Sequence, residues 1–196
     1  MEEDPIPAVA RTPRARWIEA GLAALANGGP DAVRVEALAA DLGVTKGGFY
    51  GYFDGRPALL NEMLDEWERR CTQEVLTLVE AAGGDATTRI RRAGQLTFSE
   101  EIHRIDLAVR AWARHDDAVA ERLRRIDTER MDFLREMFGS FITDPDEVEA
   151  RSILAFTLAI GRHFIAFDHP GRTRMETVRL AGEFLLSAPG DHPAGA

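Results

Sequence analysis

The chain has 196 residues, 45% hydrophobic and 8% aromatic, with 24 basic and 33 acidic side chains and a formal net charge of −9. That is enough to bury a sizeable core in one or two domains, and the single cysteine, Cys71, excludes an intramolecular disulfide framework and any multi-cysteine zinc site. Residues 1–57 carry six cations against eight acids and the remainder 18 against 25, so a broad polyanion-coating surface is excluded and nucleic-acid contact has to rest on a few placed cations.

Twenty-three of the basic residues are arginine and one is lysine, Lys46. The start, Met1-Glu2-Glu3-Asp4-Pro5, is acidic where a signal peptide is basic. The longest charge-free apolar stretch, Ser152 to Gly161, is about half of a bilayer span. A cytoplasmic protein with no membrane segment is expected.

Strand-like alternation is nearly absent, whereas apolar residues recur at helical spacing throughout. The pattern predicts an all-α protein of nine helices. The first covers Pro13 to Ala26 and is stopped by Asn27-Gly28-Gly29-Pro30. The second covers Arg34 to Leu42 and ends at Gly43, and a short third covers Thr45 to Tyr52. A long fourth helix starts after Asp54-Gly55 with Pro57 in its first turn, and runs to about Ala82 before Gly83-Gly84. Asp85 caps a fifth through Phe98, and a sixth spans Glu100 to Arg114. Asp116 or Asp117 opens a seventh to Phe138, Asp144-Pro145 an eighth from Asp146 to Phe167, and the ninth is Thr173 to Leu186. The segments 1–9 and 188–196, rich in Pro, Gly and Ala, read as loose tails.

The stretch 34–53 carries the chemistry. Leu38, Ala39 and Leu42 give one helix an inner face, Gly43 permits a positive φ at the turn, and Val44, Phe49 and Phe53 give the next helix its inner face. This is helix-turn-helix spacing, whose second helix fits a major groove about 12 Å wide. That second helix is intrinsically weak, because Gly47, Gly48 and Gly51 each cost about 1 kcal/mol against alanine. Its outer face, Thr45, Lys46, Tyr50 and Tyr52, holds donors and flat rings without an acid. On spacing alone, an irregular connector between two core helices reads equally well.

Leu38-Ala39, the run Leu42 to Tyr50, Tyr52-Phe53, Arg56 and Leu59-Leu60 resemble the N-terminal domain of TetR-type transcriptional regulators over about residues 10–64. The resemblance implies a helix-turn-helix domain at 10–57 and a ligand-binding and dimerisation domain at 58–187. It also implies a homodimer on a palindromic operator and a small-molecule inducer. Carried over by position, it places Thr45, Lys46, Gly47 and Gly48 at bases or phosphates, and Tyr50 and Tyr52 at backbone or thymine methyls. Arg56 falls at a phosphate, and Arg34, where the family often has threonine, can hold another. Glu36 can accept from a cytosine amino group or face solvent.

The other patterns are less distinctive. The histidines form no HExxH motif and no i, i+4 pair, so no metal is expected, and Walker, GxSxG and dinucleotide motifs are missing. Neither a cofactor nor catalysis is expected. His103, Asp106 and Arg110 form a polar stripe on the sixth helix, read either as a solvated face with an Asp–Arg pair or as the polar wall of a pocket completed by Trp112, Phe133, Met137 and Phe156. The eighth helix is apolar nearly all round and the ninth broadly so. Phe156, Ile160, Phe164, Phe184 and Leu185 are therefore expected at a two-fold interface. A ligand-responsive regulator, with repression as its action, is the leading function. A ligand-sequestering protein or enzyme using the C-terminal cavity is the alternative, and an architectural DNA binder would need a more basic chain.

Overall fold

The computed structural model describes residues 13–97, 99–168 and 170–187, and their regular elements are helices. In chain order they are α1 (Pro13–Gly28), a 3-10 turn (Pro30–Ala32), α2 (Val35–Leu42), α3 (Lys46–Phe49), α4 (Arg56–Cys71), α5 (Gln73–Ala82), α6 (Ala86–Thr97), α7 (Glu100–Ala113), α8 (Asp117–Gly139), α9 (Pro145–Gly161) and α10 (Arg174–Leu186). The tails expected at 1–9 and 188–196 lie outside the described residues, as do Phe98 and His169. No described helix is long and apolar enough to cross a membrane.

The starts of the helices follow local chemistry. Asp85 Oδ1 accepts from the Thr88 N–H at 2.8 Å, and Asp116 Oδ1 from the Ala118 and Val119 N–H groups at 3.1 and 3.2 Å. Asp144 accepts from the Asp146 N–H at 3.0 Å, with Pro145 in the first turn of α9. Thr173 and Glu176 form a reciprocal capping box on α10.

Three elements depart from expectation. The long fourth helix is two helices, broken at Thr72 (φ −126°, ψ −80°). Leu59, Met63, Trp67, Cys71, Val75 and Val79 are all buried at a strict spacing of four. Such a stripe drifts by about 40° per repeat on a helix of 3.6 residues per turn, and the break re-phases the chain so that all six stay inside. The eighth predicted helix stops at Gly161 rather than Phe167. Glycine is a poor helix interior, and the N–H groups of Phe164 and Ile165 both fold back to its carbonyl at 2.9 and 3.1 Å. The third helix shrinks to Lys46–Phe49, with turns through Tyr52.

By compactness the chain forms two units that interleave in sequence: residues up to 68 with 104–120, and residues 69–103 with those from 121 onward. The first is cored by Trp17, Leu22, Leu25, Leu38, Phe49, Phe53, Leu59 and Met63, each contributing about 1.5–3 kcal/mol on burial. Trp17 meets Phe49 edge-on at 5.2 Å and Phe49 stacks on Phe53 at 5.1 Å. A Cβ on Gly21 would lie 2.5 Å from Met63 Sδ, so glycine lets α1 and α4 approach this closely. In the second unit Ile90, Met131, Leu134, Met137, Phe138 and Ile142 form one cluster and Val75, Val79 and Ala93 another. Buried Arg151 pairs with Glu147 at 2.6 Å and donates to the carbonyls of Leu185, at 3.0 Å, and Ser187, fixing the end of α10 to α9.

Candidate nucleic-acid interface and effector cavity

The turn between α2 and α3 is built as its residues require. Gly43 sits in the left-handed region (φ 66°, ψ 32°). Its N–H returns to the Ala40 carbonyl at 3.1 Å and that of Val44 to Ala39 at 2.9 Å, the paired bonds of a Schellman stop. Leu38 and Ala39 are buried as expected and Leu42 half-buried, while Phe49 and Phe53 anchor the far side. Val44, expected on the inner face, is 45% exposed instead. It precedes the first turn of α3, and the left-handed glycine directs it outward before the inward register resumes at Phe49.

The outer face is open. Thr45, Lys46, Gly47, Gly48, Tyr50 and Tyr52 are all exposed, and so is Arg34 at the start of α2. The Tyr50 ring, 56% exposed, meets Phe49 edge-on at 5.2 Å, so a core ring orients a surface ring. A Cβ on Gly48 would meet nothing within 4 Å, and one on Gly47 only Thr45 Oγ1 at 3.8 Å. Internal packing therefore gives no reason for either glycine, and their bare backbone faces outward.

The cations on this face differ in state. Lys46 Nζ pairs with Glu36 across the turn. Its hydrogen bond to that carboxylate, with the carboxylate charge, holds the ammonium above the usual lysine range, and the same bond holds Glu36 below the usual carboxylate range. Glu36 thus faces solvent with one carboxylate oxygen engaged by Lys46. Arg56, expected as an exposed phosphate contact, is half-buried. Its Nε donates to the Val33 carbonyl at 2.7 Å and its Nη2 to the Pro30 carbonyl, supplying donors to carbonyls of the 3-10 turn and the loop ahead of α2. Arg14, which sequence reasoning missed, has a comparable role. Its Nε donates to Glu62 at 2.8 Å, its Nη1 to the Tyr52 carbonyl at 2.9 Å, and its guanidinium lies 4.9 Å over the Phe53 ring. Nothing in local spacing marks it, because its partners are 38 and 48 residues away.

The expected pocket residues separate. The second unit holds a cavity of about 520 Å³ lined from α5, α6, α8, α9 and α10 and by Cys71 and Thr72, within the about 300–1,000 Å³ of small-molecule sites. Phe133 and Phe156 line it, and Met137 lies in the neighbouring core cluster instead. His103, Asp106, Arg110 and Trp112 are not part of its wall. Asp106 is fully buried in the first unit, accepting from Trp67 Nε1 at 3.3 Å and from Arg110 Nε at 2.8 Å, and Trp112 Nε1 donates to Asp116 at 3.2 Å. A carboxylate needs such donors once buried, so the polar stripe is an internal bracket. His103 is also buried, its ring 3.4 Å from that of His163. Among the described residues, no cluster of ligating side chains could hold a metal ion.

Of the expected interface residues, Phe164 (68%) and Phe184 (56%) are exposed, while Phe156, Ile160 and Leu185 are half-buried and two of them, Phe156 and Leu185, line the cavity. Ile153, Leu154, Ile165 and Met175 are exposed as well.

A weak, glycine-rich helix held over an aromatic core by a left-handed turn, with a bare polar outer face, is helix-turn-helix geometry. Residues 18–63 match the family model described as bacterial regulatory proteins, tetR family. The fold is shared over most of the chain. A transcriptional regulator from Rhodococcus sp. Rha1 superposes with a TM-score of 0.68 at 19% identity, over 89% of this chain and 94% of its own. AibR, solved with isovaleryl coenzyme A and operator DNA, gives 0.65 at 15% over 88% and 97%. FadR from Bacillus subtilis, solved with stearoyl-CoA, gives 0.62 at 14% over 89% and 98%. No curated protein matches the sequence significantly.

Proposed function

We propose that this protein is a ligand-responsive repressor that binds a palindromic operator as a homodimer in the cytoplasm, without catalysis of its own. Its helix-turn-helix domain lies at 10–57 and its ligand and dimer domain at 58–187. The observation that carries the reading is the open face of α3, where Gly47 and Gly48 have no internal neighbour that demands glycine and Lys46 and Tyr50 project outward. Thr45, Lys46, Tyr50 and the two glycine backbones meet bases and adjacent phosphates, Arg34 and Tyr52 the flanking backbone, and Arg56 supports the face as a strut. The exposed apolar side chains of α9, α10 and their connection pair with a second copy. The cavity takes a small, largely apolar effector. Cys71 and Thr72 belong to its wall and sit where α4 gives way to α5. Occupancy therefore bears on the helix that begins at Arg56 and changes the separation of the two recognition helices, which must match about 34–36 Å or a multiple.

The test is a mobility shift with DNA from upstream of the protein's own gene. Lys46→Ala or Tyr50→Ala should each weaken specific binding by about 5- to 150-fold, the range for losing a base-reading side chain, with an unchanged melting temperature. A variant that shifts this DNA as the parent does would sink the recognition-face assignment.

A further inference from the structure

We infer that Glu36 and Lys46 act together as the specificity-determining pair of the recognition face, reading one G·C base pair in each half-site, with the ammonium on the guanine and the carboxylate on the amino group of its cytosine. This rests on the proposed DNA-binding function and names the base pair that the exposed face selects.

An acid is the least expected side chain on a surface that meets DNA, because phosphate repels it at every sequence. Glu36 nevertheless stands in the first turn of α2, hydrogen-bonded across the turn to Lys46, the first residue of α3. In helix-turn-helix docking the N-terminal residues of the second helix are the ones that meet base edges. Glu36 and Lys46 are 67% and 49% exposed, and an ion pair that open contributes little to stability, so holding the fold is a poor account of it. Both groups stay charged where they stand. The Lys46 hydrogen bond, then the N–H of Glu36 itself, then the charges of Lys46 and Arg34 favour the carboxylate, and Glu36 in turn favours the ammonium.

Neither head group is exhausted by the other, since an ammonium has three donors and a carboxylate about four lone-pair sites. In the major groove guanine offers O6 and N7 as acceptors and cytosine an N4 hydrogen as donor, the partners that lysine and glutamate require. O6 and N4 are joined by a hydrogen bond of the base pair, about 2.7–3.2 Å long. A donor and an acceptor that are themselves one hydrogen bond apart match that spacing. Changing G·C to A·T puts the adenine N6 donor at the ammonium and the thymine O4 acceptor at the carboxylate, two mismatches at once. The reversed pair, T·A, keeps the acceptor–donor order but replaces guanine N7 by the thymine methyl.

The experiment selects, with the full chain, from a pool of duplexes randomised over about 20 base pairs, two turns of DNA, and then titrates the selected duplex in competition. The parent should enrich one G·C pair in each half-site, and changing it to A·T should weaken binding by about 5- to 150-fold. N4-methylcytosine at that pair, which keeps the pairing but replaces the outward amino hydrogen, should weaken binding too. The Glu36→Ala chain should lose both responses there and keep its preferences elsewhere. The ratio between duplexes is the readout, since removing a carboxylate also eases repulsion by phosphate at every sequence. Discrimination by Glu36→Ala equal to the parent's at every pair, or a parent indifferent to N4-methylcytosine, overturns the inference while the DNA-binding reading stands. Loss of preference at all positions together makes Glu36 a support of the α2–α3 turn and overturns it as well. A parent that enriches no sequence removes the proposed function, and this inference with it.

Discussion

The two units handle their apolar surface differently. In the first, the large side chains that periodicity assigns to the inside are inside apart from Val44: Trp17, Leu25, Phe49 and Met63 are at most 3% exposed, and the rings of 17, 49 and 53 touch. In the second, α10 has no buried residue and α9 buries only Arg151 and Ser152, while eight large apolar side chains on or between them face outward. The first unit closes its own core, whereas the second leaves an apolar surface of the kind that a second copy would cover under the proposed function.

The contrast breaks most dramatically if the second unit proves complete alone. Phe164→Asp with Phe184→Asp should convert a dimer into a monomer. Burial of two such rings contributes about 3–6 kcal/mol, or about 10²- to 10⁴-fold in dissociation constant, measured by light scattering at micromolar protein. A parent chain that is already monomeric there removes the contrast.

Within the first unit, Gly48→Ala separates stability from recognition. With open space where its Cβ would sit, alanine should stabilise α3 by about 0.5–1 kcal/mol, read as a rise in melting temperature. Operator affinity should fall, because the bare backbone is what approaches the DNA. Gain of stability with full DNA binding would reduce the glycine to an accident of composition.

A smaller effect is expected from Glu36→Gln. Releasing Lys46 from its carboxylate should tighten DNA binding a few-fold and steepen its salt dependence. The pair's contribution is present at neutral pH and fades only as acid protonates Glu36 below the ordinary carboxylate range, so binding to the parent should not change through this pair near neutrality. Smallest is an acid sensitivity of the second unit. Loss of solvent, then the charges of Arg162 and Arg174, hold His163 below the usual histidine range. A histidine harder to protonate folded than unfolded lowers stability as pH falls through about 6.5, and His163→Gln should blunt that slope in thermal melts.

Much of this was legible in the chain. The Schellman stop at Gly43, the caps at Asp85 and Asp116 and the inward Leu38, Phe49 and Phe53 follow from local rules, and those rules suffice for the helix-turn-helix geometry. The break at Thr72 was legible too, in the spacing of four from Leu59 to Val79, but it takes drift arithmetic rather than counting apolar faces. The roles of Arg14, Arg56 and Asp106 were not. Each is decided by partners or burial set by tertiary packing, and a polar stripe on one helix does not say whether it faces a pocket, solvent or a tryptophan such as Trp67. For the same reason Phe133 and Phe156 were found as cavity residues, while the cavity's arginines, spread over α6, α8, α10 and the turn after α9, were not.

Lys46 has a practical consequence at the bench. It is the only lysine of the chain, and its side chain is half exposed on the face assigned to DNA. Succinimidyl labels, amine-coupled sensor chips and formaldehyde fixation therefore have one side-chain amine to react with besides the α-amino group, and it is the one that the proposed recognition face uses. Under that proposal amine coupling through Lys46, harmless in proteins where it is diluted over many lysines, would silence the molecule. A surface assay that attaches it through Lys46 would then report an inactive preparation from a fully folded one.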